Sequence, residues 1–135
     1  MNGRYPIALH ILTLLSKTEL ELMSSEYIAG SININPALAR KEISNLRNHG
    51  FIESKEGKGG GYSLAKPAKQ ITLADIYRAV KEPHVLGLAK NSPNPDCPVG
   101  KQINKNIEEL YEELDHAFLL KLETKTLEDF TNQFD

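Results

Sequence analysis

A single cysteine, Cys97, stands among these 135 residues. It excludes an internal disulfide and fits a reducing compartment. No apolar run approaches the roughly 18 residues a membrane span needs. The start, Met1-Asn2-Gly3-Arg4-Tyr5-Pro6, has neither the apolar core nor the cleavage site of a signal peptide. A cytoplasmic protein with no membrane partner is therefore the default expectation. Catalytic constellations are missing too. His10, His49, His84 and His116 are scattered, and no Ser-His-Asp or Cys-His pairing is suggested by position, so no enzyme is expected. Glu113-Leu114-Asp115-His116 is one Glu-x-x-His step, whereas a di-iron bundle needs two such steps and further glutamates. No metal site is expected. Internal repeats are absent.

What is present is ordinary in bulk and uneven in detail. Hydrophobic content of 40% and charged content of 25% are those of a soluble globular protein. The length suits one domain, or one domain with an appendage. The net charge of −2 hides an asymmetry: residues 1–70 carry nine Lys/Arg against six Asp/Glu, and residues 71–135 carry seven against twelve. A mildly basic first half suits a polyanion, while the acidic second half must face away from it.

Residues 4–17 read as a helix, with Ile7, Ile11, Leu14 and Leu15 at helical spacing and Leu12 widening the stripe. Ser24-Ser25-Glu26 starts a short second helix with Tyr27, Ile28, Ala29 and Ile32 as its buried candidates. After a turn at 33–35, Asn35-Pro36 starts a third, because asparagine caps well and proline is tolerated at the first helical position. It runs to His49, where Gly50 stops it. Ala39, Ile43 and Leu46 fall on one face; Ala37, Lys41, Ser44 and Asn48 fall on the other, flanked by Arg40 and Asn45. Phe51-Ile52 and Tyr62-Ser63-Leu64 then read as two short strands joined by Gly57-Lys58-Gly59-Gly60-Gly61. That loop opens no helix, as a dinucleotide fingerprint would, and lacks the Gly-Lys-Ser/Thr of a phosphate-binding P-loop. Thr72 caps a fourth helix with Asp75 three residues on, and Leu73, Ile76, Tyr77 and Val80 form its buried stripe.

Residues 81–98 hold Pro83, Gly87, Pro93, Pro95 and Pro98, which break any regular element. A long helix follows from about Val99 to Leu122. Ile103, Ile107, Leu110, Leu114 and Ala117 alternate steps of four and three, a coiled-coil seam for dimerisation. Packing on its own domain gives the same periodicity. Thr126-Leu127-Glu128-Asp129-Phe130 looks like a capped last turn.

The expected fold is mainly α with a small β-hairpin wing: a winged helix-turn-helix over 1–80, a loop over 81–98, and a dimerisation helix with a C-terminal turn over 99–135. A helix reads DNA when one face is anchored and the other offers small, polar or cationic groups to the major groove. The 36–49 helix meets both conditions through Ala37, Arg40, Lys41, Ser44 and Asn45. Arg47, Lys55 and Lys58 supply phosphate contacts, with Lys66 and Lys69 just beyond the return strand. Gly59 and Gly60 thin the tip enough to approach a minor groove.

At this point the chain resembles the Rrf2-type transcription regulators, which include bacterial iron–sulfur-cluster and cysteine-metabolism regulators. The resemblance rests on Tyr5-Pro6-Ile7-Ala8, on Ser24-Ser25-Glu26-Tyr27-Ile28-Ala29 and on Leu46-Arg47-Asn48-His49-Gly50-Phe51-Ile52. Above all it rests on Gly59-Gly60-Gly61-Tyr62-Ser63-Leu64-Ala65-Lys66-Pro67, and it continues through Ile71-Thr72-Leu73-Ala74-Asp75-Ile76 and Cys97-Pro98-Val99. It implies a homodimer on a near-palindromic operator, in a family acting mostly as repressors and sometimes as activators. It also implies DNA-reading positions at Ser25, at Asn35, Pro36, Ala37 and on to Lys41, at Ser44, and around Lys58.

Two departures separate the chain from that pattern. Many relatives carry a glutamate and a glutamine where this chain has Arg40 and Lys41, and often an arginine where it has Glu56. The operator sequence is not expected to carry over. Cluster-binding relatives carry three cysteines before the long helix; Cys97 alone cannot supply four ligands, so no iron–sulfur cluster or other cofactor is expected. Cys97 stays open as a thiol switch or an inert remnant. A small-molecule effector pocket between long helix and winged domain, with a contribution from loop 81–98, is a further expectation. The alternative function is a winged-helix protein-interaction module that has lost DNA binding, mildly favoured by Glu56 and the acidic second half.

Overall fold

Arg4–Lys17 form α1, the helix around which the rest is arranged in the computed structural model. The structure describes residues 3–18, 21–80, 86–87 and 90–134. Ala8, Ile11, Leu12 and Leu15 are buried along α1, while Ile7 and Leu14 are only half-buried. The inner stripe thus keeps Ile11, Leu12 and Leu15 of the expected set and adds Ala8, with Ile7 and Leu14 packed at its edge.

Ser25–Ile32 form α2 and Pro36–Asn48 form α3. The Ser24 hydroxyl accepts from the Tyr27 N–H at 3.1 Å, and Asn35 Oδ1 accepts from the Ala37 N–H at 2.7 Å. Each cap satisfies an amide that has no partner inside its helix. Between them Asn33 takes a left-handed conformation, φ 63°, which asparagine tolerates better than other non-glycine residues. This is a helix-turn-helix.

The wing comprises β1, Ile52–Lys55, and β2, Gly61–Leu64, paired antiparallel with Ile52 opposite Leu64 and Lys55 opposite Gly61. Met23 adds a bridge to Tyr62 on the other side of β2, through two backbone hydrogen bonds of 3.0 and 2.9 Å. A 3-10 turn at Ala68–Gln70 leads to α4, Leu73–Val80. Thr72 and Asp75 cap α4 reciprocally, each side chain bonded to the other's backbone N–H at 3.0 Å.

Pro98–Glu123 form α5. It starts one residue earlier than expected, because proline is preorganised for the first helical position. Among its residues none is fully buried by this chain. Leu127–Thr131 form α6, with the Thr126–Asp129 capping box intact.

The boundary at residue 99 needs correction at its far end. Leu127 is fully buried among Ile11, Leu12, Ile71 and Ile76 in one cluster. Leu73 N donates to Lys125 O at 2.9 Å, and Leu127 N to Ile71 O at 2.8 Å. The C-terminal turn therefore completes the winged core, and α5 meets that core through Leu122 and through α4. Leu127→Ala is expected to cost about 2–5 kcal/mol, the range for truncating a fully buried leucine. A urea titration would show it as an earlier midpoint with an unchanged slope.

Candidate nucleic-acid interface

α3 is anchored by Ala39, Glu42, Ile43 and Leu46, all at most 2% exposed. At about 100° per residue these four make one face. Asn35, Pro36, Ala37, Arg40, Lys41 and Asn48 lie outside it and are exposed, while Ser44 is half-buried. Among the described residues no carboxylate pairs with Arg40, Lys41, Lys55 or Lys58.

Three expected contacts are placed differently. Ser25 is 7% exposed and its hydroxyl donates to Glu26 Oε2 at 3.3 Å. It belongs to the inner face of α2 with Ile28, Ala29 and Ile32, so its side chain is turned away from any partner. Asn45 is half-buried and its Nδ2 donates to Ala79 O at 3.0 Å; the amide ties α3 to α4 rather than reaching outward. Arg47 is exposed, but its Nη1 donates to Ser54 Oγ at 3.2 Å and so braces α3 against β1.

Tyr27, expected to be buried, is 61% exposed. At helical spacing it lies roughly opposite the inner stripe of α2. It lines a cleft of about 410 Å³ with Leu22, Met23, Ser24 and the wing's Gly60. An exposed tyrosine beside the wing is a feature that a closer reading of that spacing could have found.

The wing tip is thin by construction. Gly57 and Gly59 adopt φ of 89° and 78°, a region that disfavours side chains. A Cβ on Gly60 would stand 2.2 Å from Lys55 O. Lys55 and Lys58 are exposed on this hairpin, and Glu56 stands between them. Lys66 is turned back over the Phe51 ring, 5.2 Å from its centre, and so contributes to packing.

On α5 the expected seam divides. Leu110 and Leu114 are 51% and 44% exposed, and Ala117 is exposed. Val99, at 68%, joins them. Ile103 and Ile107 are half-buried by this chain's own residues, on the side from which Tyr111 donates to Gly87 O at 3.0 Å. The apolar side of α5 is thus left partly uncovered in the single chain, at Val99, Leu110, Leu114 and Ala117.

Cys97 sits at the N-cap of α5 and is exposed. The Gly100 amide, and next the Val99 amide, lower its pKa from the usual thiol value, although the sulfur makes no capping hydrogen bond of good geometry. The expected effector pocket falls partly on 81–85 and 88–89, which lie outside the described residues. An apolar groove of about 440 Å³ lies elsewhere, between α1 and α6, lined by Leu9, Leu14, Phe130 and Phe134 with His10 and Lys17 among its polar residues.

The Rrf2 family, described as "Iron-dependent Transcriptional regulator", matches this chain over residues 1–133. YwnA of Bacillus subtilis, a candidate HTH-type transcriptional regulator, is 39% identical over 132 residues, 98% of this chain and 97% of that protein. The HTH-type transcriptional regulator IscR of Cereibacter sphaeroides is 37% identical over 82 residues, 60% of this chain and 53% of that one. Among solved structures, CymR (YrzC), the global cysteine regulator of B. subtilis, superposes with a TM-score of 0.74 at 26% identity, covering 100% of this chain and 98% of that chain. The iron in the family's description calls for ligands. Among the described residues no three His, Cys, Asp or Glu side chains gather where they could hold a metal ion. With one cysteine in the chain, the donor set does not fit a cluster.

Proposed function

The chain belongs to the Rrf2 family of DNA-binding transcriptional regulators, and on that footing we propose that it represses transcription as a homodimer on a near-palindromic operator. It is a regulator and not an enzyme. The observation that carries the proposal is α3. One face is locked into the core; the other offers Arg40 and Lys41, held by no carboxylate among the described residues, beside a glycine wing. In this reading each protomer lays α3 in a major groove, and Lys55 and Lys58 meet phosphates at the neighbouring minor groove. The uncovered face of α5, Val99, Leu110 and Leu114, pairs with its counterpart and sets the half-site spacing. The protein works in the cytoplasm with its DNA, without a cluster, and any small effector acts on this dimer.

Selection of bound duplexes from a random pool tests the proposal. The expected product is a two-fold symmetric site. With that site in hand, Lys55→Ala and Lys58→Ala should flatten the log–log salt dependence of binding by roughly 0.9 for each phosphate no longer neutralised, while leaving the preferred sequence unchanged. No enrichment at low salt would point instead to a winged helix that binds proteins.

A further inference from the structure

Glu42 is a fully buried carboxylate, 2% exposed, on the helix that presents Arg40 and Lys41. Arg4, at the first position of α1, meets both of its oxygens through Nε, at 3.0 and 3.3 Å. The next residue, Tyr5, takes the contact onward. Its hydroxyl donates to Leu73 O at 3.1 Å, and burial pushes its pKa up to about 12, so it stays a neutral donor. Its ring meets Tyr77 edge-on, with centres 5.7 Å apart; Tyr77 meets Phe118 of α5 in the same manner at 5.1 Å. Arg78 of α4 also pairs with Glu123 of α5. The contacts run without a gap from α3, through the first two residues of α1 and then α4, to the long helix.

Such a tie does little for stability. Arg4 is 40% exposed, so water weakens the attraction, while the buried Glu42 still needs a partner; the pair is better explained by the single geometry it enforces. Edge-on aromatic pairs are directional in the same way. The two ends of the tie are the two elements whose relative placement decides where a dimer's reading helices fall along a duplex. We propose that Arg4 and Glu42, with the Tyr5–Tyr77–Phe118 stack, are positioning residues that fix the reading helix relative to the long helix and so set the half-site spacing the dimer accepts.

The inference rests on the homodimeric operator-binding reading, and one experiment separates the two. Fluorescence anisotropy would follow the full chain on duplexes carrying the selected half-sites with spacers shortened or lengthened by one or two base pairs. The proteins compared are the wild type, Arg4→Met with Glu42→Met, and Phe118→Leu, with dimer mass and thermal midpoint measured alongside. A base pair turns a half-site by roughly a tenth of a helical turn, so the wild type should lose about tenfold in affinity per step away from the best spacer. In both variants the loss should shrink to about threefold or less, while a lone half-site is bound as before, because loosened reading heads can swivel to meet displaced sites. A wild-type spacing profile in folded, dimeric variants overturns the proposal and leaves the pair a packing element. A wild type that is monomeric or binds no duplex sinks the dimer reading itself. Should the double variant fail to fold, Phe118→Leu decides alone, since that ring is 37% exposed and its loss spares the core.

Discussion

Arg40→Ala with Lys41→Ala removes operator choice well before it removes general affinity for DNA. Both side chains lie outside the buried face of α3, and no carboxylate among the described residues holds them. The thermal midpoint should therefore barely move, as is usual for surface substitutions. A good bidentate contact to a base edge discriminates by about 1–3 kcal/mol, and arginine or lysine on guanine is the commonest such contact. A dimer presents each residue twice. Even with poor additivity, the ratio of operator to scrambled-duplex affinity should fall by at least about 100-fold, since 1.4 kcal/mol is tenfold. Binding to scrambled duplex, which on the proposed reading rests on wing lysines and backbone amides, should weaken far less. Footprinting beside anisotropy on both duplexes reads the two effects separately. An unchanged footprint would take α3 out of the reading role.

That expectation was legible because α3 obeys local rules. Its cap, its first-position proline, its terminal glycine and its apolar face are all sequence features, and the structure places Pro36–Asn48 within a residue of the expected span. The wing was legible for a similar reason, since glycines there serve local backbone needs. Errors arose where a face had to be assigned in a short element. α2 has eight residues, and a stripe through Ser25, Ile28, Ala29 and Ile32 leaves Tyr27 outside. Reading Tyr27 as core followed its chemistry instead of its position. Glu42 shows the opposite difficulty. It lies beside Ala39 and Leu46 on the inner face, but a charge is not assigned to a core until its partner is known. That partner, Arg4, is 38 residues away. The folding back of Leu127 into the core was illegible for the same reason: no local pattern announces a contact with Ile71 across the length of α5.

Leu110→Asp with Leu114→Asp should turn the protein into a folded monomer with almost no grip on its operator. The two leucines are about half-exposed, so aspartates there face water in the isolated chain and leave its core intact. In a dimer the same positions would bring like charges together in an apolar seam, where unpaired ionised groups are strongly disfavoured. Loss of the second protomer also removes the gain from two linked half-sites. Binding the second half-site within one complex proceeds at an effective concentration in the millimolar range for short connections, and linkage can raise overall affinity by about 10²–10⁴. Operator affinity should thus drop by at least about 100-fold, while a duplex with one half-site is bound about as weakly as by a single wild-type protomer. Sedimentation velocity reports the mass and circular dichroism the helix content. A variant that stays dimeric with its operator affinity intact would show that the face of α5 left open in the single chain is not where two copies meet.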